Sequence, residues 1–121
     1  MLGCMNARVL SFVVLLGLWG CTTPPAGAPT DLGGGFRREN HPAFTATEQT
    51  MATAARRCLE ERRGKKIDAY YRVRLTEGGY CVLVFEVYRY VGKEPRFTLN
   101  RDWAVDLRED GTIISVWHSD M

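Results

Sequence analysis

The chain is 121 residues long, which allows one small folded domain. It carries 16 lysines and arginines against 14 acidic residues, a formal net charge of +2, and so lacks the strongly basic balance of a nucleic-acid binder. Its four cysteines, Cys4, Cys21, Cys58 and Cys81, are spaced too widely for a C-x-x-C metal or redox motif.

Residues 1–8, MLGCMNAR, carry one positive charge at Arg8 and precede an eleven-residue apolar run from Val9 to Trp19. Crossing a bilayer takes about 20 apolar residues, whereas the core of a secretory signal takes about 7–15. The run is therefore read as an export signal and set apart from the fold. It ends Leu18-Trp19-Gly20-Cys21. That ending resembles the lipobox of bacterial lipoproteins, in which an aliphatic residue, a small residue and Gly or Ala precede the cysteine that is acylated. Leu18, Gly20 and Cys21 match, and Trp19 departs from the pattern. A rival cleavage site, Ala26-Gly27-Ala28, has the A-x-A form but places Pro29 directly after the cut. The resemblance implies a signal peptide at residues 1–20, lipidation of Cys21 with palmitate-type chains, and membrane anchoring through them. Thr22, in place of an aspartate, implies the outer membrane, facing the periplasm. Without Arg8 the chain has 15 basic and 14 acidic residues, so buried methylenes rather than charge would hold it to the membrane.

Residues 21–44 follow as the lipidated cysteine and a tether. Thr22 to Phe44 is crowded with Pro, Gly and Ala and has no apolar periodicity, the composition of a partly extended spacer. Its only aromatics, Phe36 and Phe44, are the points from which it can dock. Residues 45–121 form the domain.

Thr45-Ala46-Thr47-Glu48 has the capping-box pattern and opens a helix that runs to about Arg63, where Gly64 supplies a left-handed stop. Met51, Ala55, Cys58, Leu59 and Arg62 recur at helical spacing and make a narrow buried stripe. The basic cluster Arg56, Arg57, Arg62, Arg63, Lys65 and Lys66 reads as a solvated face that complements the helix dipole.

Ile67 to Thr76 alternates, with Ile67, Ala69, Tyr71, Val73 and Leu75 on one side, and is a half-buried strand. Tyr80 to Val91, YCVLVFEVYRYV, is rich in β-branched and aromatic residues and is the central strand. The turn at Glu77-Gly78-Gly79 allows two registers. A two-residue turn puts Tyr80, Val82, Val84 and Glu86 with Leu75; a three-residue loop puts Cys81, Leu83, Phe85 and Val87 there instead. The second avoids burying Glu86 and is the register expected, although a slip of one would reverse every side chain. Cys81 then faces Cys58 on the helix. In an exported protein this suggests a Cys58–Cys81 disulfide, closing a loop of about 24 residues and worth roughly 3 kcal/mol. After the turn at Gly92 to Pro95, Arg96 to Leu107 continues with Phe97, Leu99, Trp103, Val105 and Leu107 inward and a bulge at Arg101. Asp110-Gly111 closes the last hairpin, setting Leu107 against Ile114, Val105 against Val116 and Trp103 against His118. Ile113, Ser115 and Trp117 then point outward.

The fold class expected is α+β: one N-terminal helix packed on a four-stranded antiparallel meander sheet. Order and proportions resemble the cystatin-like and NTF2-like folds. The closing WAVDLREDGTIISVWHSDM resembles the final hairpin of PepSY-like domains and of NTF2-fold immunity proteins. The cystatin inhibitory motif Q-x-V-x-G is absent from the sequence, so protease inhibition does not carry over. No G-x-S-x-G, H-E-x-x-H, P-loop or G-x-G-x-x-G occurs, and no catalytic residue, cofactor or metal set is implied. Asp102 and Asp106 fall on the outward face near Arg72 and Arg74, where cross-strand ion pairing accounts for them. Tyr70, Arg72, Val82, Val84, Tyr88 and Trp117 are the residues expected to bind a partner, because aromatics beside arginine compose interface hot spots. The function expected is a lipid-anchored, non-enzymatic binding module of the bacterial envelope, inhibitor- or immunity-like. Its partner would be an unidentified envelope protein or, as an assembly accessory, a second copy of itself. A small NTF2-like enzyme or ligand carrier is the remaining alternative.

Overall fold

The computed structural model describes residues 24–118, the side chains of 99–101 excepted. Cys4, the export signal expected at 1–20 and Cys21, the expected acyl acceptor, lie outside the described residues. One helix, α1 (Ala46–Arg63), starts at the expected capping box: the Glu48 amide donates to Thr45 Oγ1 at 3.1 Å, and the Thr45 amide donates to Glu48 Oε1 at 2.8 Å. Gly64 ends it at φ 70°, its N–H donating to the Glu60 carbonyl at 2.8 Å. Met51, Ala52, Ala55 and Leu59 form the buried side; Arg62, expected on that stripe, is exposed. No helix among the described residues is long and apolar enough to cross a membrane.

The described strands form one antiparallel sheet in sequence order, β1 (Asp31–Gly33), β2 (Phe36–Arg37), β3 (Ala69–Thr76), β4 (Gly79–Val91), β5 (Glu94–Arg108) and β6 (Ile113–His118). The fold is α+β, with α1 packed on one face, but the described strands number six rather than four. The extra two come from the segment expected to be a tether. There β1 and β2 make a short hairpin that adds to β3 through Arg37 and Tyr71. Both tether aromatics are used: Phe36 stacks on Phe85 at 4.0 Å, and Phe44 enters the helix-side core. Full burial of a ring such as Phe44 contributes about 1.5–3 kcal/mol and the half-buried Phe36 adds less, which helps offset the entropy of ordering the segment.

The register of the central strand differs from the expected one. Leu75 pairs with Tyr80 and Thr76 with Gly79, so Glu77-Gly78 is a two-residue turn with Gly78 at φ 94°. The even-numbered residues of β4 therefore face α1. Val82 and Val84 are fully buried among Met51, Leu59, Tyr71, Val105 and Leu107. Glu86, whose burial had argued against this phase, is only 3 % exposed, and the Arg63 guanidinium from the last turn of α1 pairs with it. Gly79 is also required: a Cβ there would sit 2.0 Å from the Leu107 carbonyl oxygen.

The last hairpin follows expectation at Val105–Val116 and Trp103–His118, and Trp103 and Leu107 do face the helix. A bulge, however, sets Leu107 against Ile113. Ile113 thus packs on the core, and Ile114 turns to solvent, 55 % exposed, the reverse of the expected pair. Phe97, expected inward, lies on the other face, edge-on to Tyr70 and Phe85 at 6.0 and 5.9 Å. The cause is the register shift between Phe85–Asp102 and Val87–Phe97, which falls where Arg101 had suggested a bulge.

Arg63→Ala removes the guanidinium that compensates a buried carboxylate. It is expected to cost about 2–4 kcal/mol, the lower part of the range reflecting the partial exposure of Arg63, read as a lower urea midpoint at unchanged slope. Loss below about 0.5 kcal/mol would contradict a structural role for the pair.

Candidate functional site

The sheet face away from α1 is built from cross-strand rows. Arg74, Cys81, Asp106 and Ser115 form one row; Arg72, Leu83, Ala104 and Trp117 form the next; Tyr70, Phe85 and Asp102 form the third. The two ends of this face differ. At the third row the β1–β2 arm closes over the sheet. Arg38 lies over the Tyr70 ring at 4.2 Å, pairs with Asp68 and donates to the Tyr90 hydroxyl, while Tyr90 donates to Asp68 Oδ2 at 2.5 Å. The Tyr70 hydroxyl donates to the Pro29 carbonyl at 2.6 Å. Phe36, Phe85, Phe97 and Tyr70 make a second, smaller aromatic cluster beneath it.

The first two rows are open. Trp117 is 63 % exposed, and its indole is held in place because Nε1 donates to Asp106 Oδ2 and Ser115 Oγ, both at 3.2 Å. Ser115 in turn donates to Asp106 at 2.8 Å. Beside the indole lies a mostly apolar groove of about 200 Å³, walled by Leu83, Phe85, Ala104 and Trp117 with the Asp102 carboxylate among them. Burial holds the Asp102 carboxyl above the usual range, opposed only in part by His118. Arg72 and Arg74, exposed on the opposite side of the face, take part in none of the ion pairs formed among the described residues, nor do Asp102 and Asp106. The expected cross-strand pairing of these four is therefore not made.

The six residues expected to bind a partner separate. Arg72 and Trp117 share the open rows. Tyr70 is on the same face but fully buried under the arm. Val82 and Val84 are in the core beneath α1, because the two-residue turn reverses β4. Tyr88 is half exposed, but it lies beyond the β4 register shift, roughly 16 Å along the strand from Leu83. Leu83 and Phe85, which stand on the open face with Ala104, point outward only in the other register of β4.

The same reversal overturns the expected disulfide. Cys58 and Cys81 are free thiols. Cys81 points away from the helix, beside Asp106 on the neighbouring strand, while Cys58 stays on α1, so the sheet stands between them. Burial pushes both thiols up; Arg62 beside Cys58 and Arg74 beside Cys81 offset this in part. Both cysteines are expected to alkylate without prior reduction. Because the thiolate fraction at a given pH is lower, they should react more slowly at pH 8 than an unhindered thiol, with rates still rising above pH 9. Peptide mapping that recovers a 58–81 cross-link would refute this.

A second concavity, about 530 Å³, lies between the arm and α1 and is lined by Arg38, Glu39, Thr53, Arg56, Asp68 and Tyr71 among others. Its charges engage one another. Arg56 pairs with Glu39 at 2.6 Å and with Glu60 at 2.9 Å, Thr53 donates to Glu39, and Arg38 pairs with Asp68. Burial pushes the Tyr71 phenol well above the usual range, helped by Glu39; burial and the hydrogen bond to Asp68 do the same for Tyr90. A raised folded-state value means these phenols contribute stability that is complete below the unfolded value near pH 10 and lost as pH climbs beyond it. Alkaline titration followed by phenolate absorbance should show Tyr71 and Tyr90 ionising only with unfolding, and Tyr71→Phe should move the unfolding midpoint to higher pH. Normal titration of Tyr71 and Tyr90 in the folded state would contradict this burial.

Among the described residues, no group of three or more His, Cys, Asp and Glu is placed to hold a metal ion. No known protein family, curated protein or solved structure matches this chain.

Proposed function

We propose that this chain is a lipid-anchored, non-enzymatic binding module of the bacterial cell envelope that presents the open half of its outer sheet face to a protein. The observation that carries this reading is Trp117. A large aromatic side chain is exposed yet held rigid by Asp106 and Ser115, beside a groove of Leu83, Phe85 and Ala104 and across from exposed arginines. Rigid aromatic anchors next to a pocket, with arginine nearby, are what binding hot spots are made of. The anchor rests on the lipobox-like Leu18-Trp19-Gly20-Cys21, with the outer membrane facing the periplasm as its destination.

A helix laid on an antiparallel meander resembles cystatin-like and NTF2-like domains, among them the PepSY-like and NTF2-fold immunity proteins. This favours an inhibitor- or immunity-like role toward an envelope toxin or hydrolase. NTF2-like enzymes keep polar groups in a chamber between helix and sheet. Here that space is filled by Met51, Leu59, Val82, Val84, Val105 and Leu107, which favours binding over catalysis.

The test is affinity capture from envelope extracts with the tagged full chain, run in parallel with Trp117→Ala and Leu83→Asp variants whose folding is checked by circular dichroism. Proteins held by the wild type should fall at least tenfold on both variants, in line with a hot spot of about 2 kcal/mol or more. Labelled palmitate should enter the wild type and not Cys21→Ser. Capture unaffected by Trp117→Ala refutes the binding face, and label retained by Cys21→Ser refutes the anchor.

A further inference from the structure

The open face is complementary to itself. Its β3 side carries the exposed Arg72 and Arg74; its β5 and β6 side carries Asp102, Asp106 and Trp117, with Leu83 and Ala104 between. Neither set of charges is ion-paired within the described chain. We propose that the partner is a second copy of this chain, packed sheet to sheet about a two-fold axis parallel to the strands, so that Arg72 of each copy enters the groove of the other between the Asp102 carboxylate and the Trp117 indole. This rests on the binding-face reading above and, in place of the toxin or hydrolase that the fold resemblance suggests, takes a second copy as the occupant of that face.

The choice of axis follows from the charges. Rotation about an axis along the strands reverses their order, so β3 lies over the β6 of the second copy and β4 over its β5. The row Arg72, Leu83, Ala104, Trp117 then meets itself reversed: guanidinium on indole at both ends, aliphatic side chains in the middle. Rotation about an axis across the strands would instead lay β3 on β3 and set Arg72 and Arg74 against their own copies. In the favoured pose the groove supplies what an arginine needs, apolar walls for its methylene stem and a carboxylate for its head. Asp102, whose own chain offers it His118 but, among the described residues, no ion pair with an arginine or lysine, also gains a guanidinium.

The extent of the face sets the strength. Four strands about 4.8 Å apart and two rows about 7 Å each cover roughly 270 Å² per copy, well under the ~800 Å² per partner of a standard interface. A micromolar rather than nanomolar dimer is expected.

Sedimentation velocity of the full chain in mild detergent, over about 1–200 µM, measures the association directly. Arg72→Asp and Asp102→Arg should each weaken it at least tenfold. An equimolar mixture of the two variants should restore it, because the reversed charges then meet across a heterodimer, and misfolded chains could not give that rescue. A wild type that stays monomeric at the highest concentration, or a mixture as weak as its components, overturns the second-copy inference. If capture of other envelope proteins remains sensitive to Trp117→Ala in that event, the binding face stands and only its partner changes. If that sensitivity is also absent, both readings fall together.

Discussion

Glu86 enters the helix side of β4 in line with Tyr80, Val82 and Val84, and the Arg63 guanidinium meets it from the last turn of α1. The phase of β4, and with it the make-up of both sheet faces, depends on this meeting. With Glu86 compensated, the two-residue turn at Glu77-Gly78 can stand, and two valines of β4 become the core. Cys81, Leu83 and Phe85 are sent to the far face as a result. The ion pair contributes little net attraction once desolvation is counted. Its importance is selective: it removes the penalty that would otherwise disfavour this phase of the strand, and hydrophobic burial does the rest.

The far face would be a long open sheet if the arm did not cover one end of it. Phe36 reaches across β3 to stack on Phe85, and Arg38 seals the margin by joining Asp68, Tyr70 and Tyr90. The arm thus divides one sheet surface into a closed aromatic half and an open half centred on Trp117. The open half joins charge and apolar surface in one compact area, which is the composition of a recognition surface. The same arm, with α1, frames the polar cleft in which Arg56, Glu39, Thr53 and Glu60 satisfy one another, so that cleft reads as the joint that holds the arm.

Much of this was legible in the residues. Thr45 and Glu48 announce the start of α1, and Gly64 its end, because caps are local chemistry. The alternation of β3 and the pairing of Val105 with Val116 are local too. What escaped needed knowledge of a distant partner. Glu86 looked unburiable because Arg63 is 23 positions away in sequence and reads as part of a solvated basic cluster. The expected disulfide between Cys58 and Cys81 rests on that same choice of phase and falls with it. Phe36 and Phe44 marked where the segment before the helix could dock, but Pro and Gly composition argued for a spacer, and only the tertiary contacts reverse that balance. Outward alternation on their own strands places Trp117 and Arg72 on the open face. Val82 and Val84 were misplaced by the slip of one residue.

If Cys21 carries the acyl anchor proposed for it, the docking of the arm shortens the leash. A spacer running from residue 21 to residue 44 would let the domain roam far from a membrane. In the fold the chain is already held at Pro29, whose carbonyl accepts from Tyr70. For a chain fixed at Cys21, only about eight residues separate lipid from globule, a reach of no more than roughly 26–29 Å even when fully stretched. Such a domain would skim the bilayer surface, within about its own diameter of the headgroups. Whatever it grips would have to come equally close to the lipid.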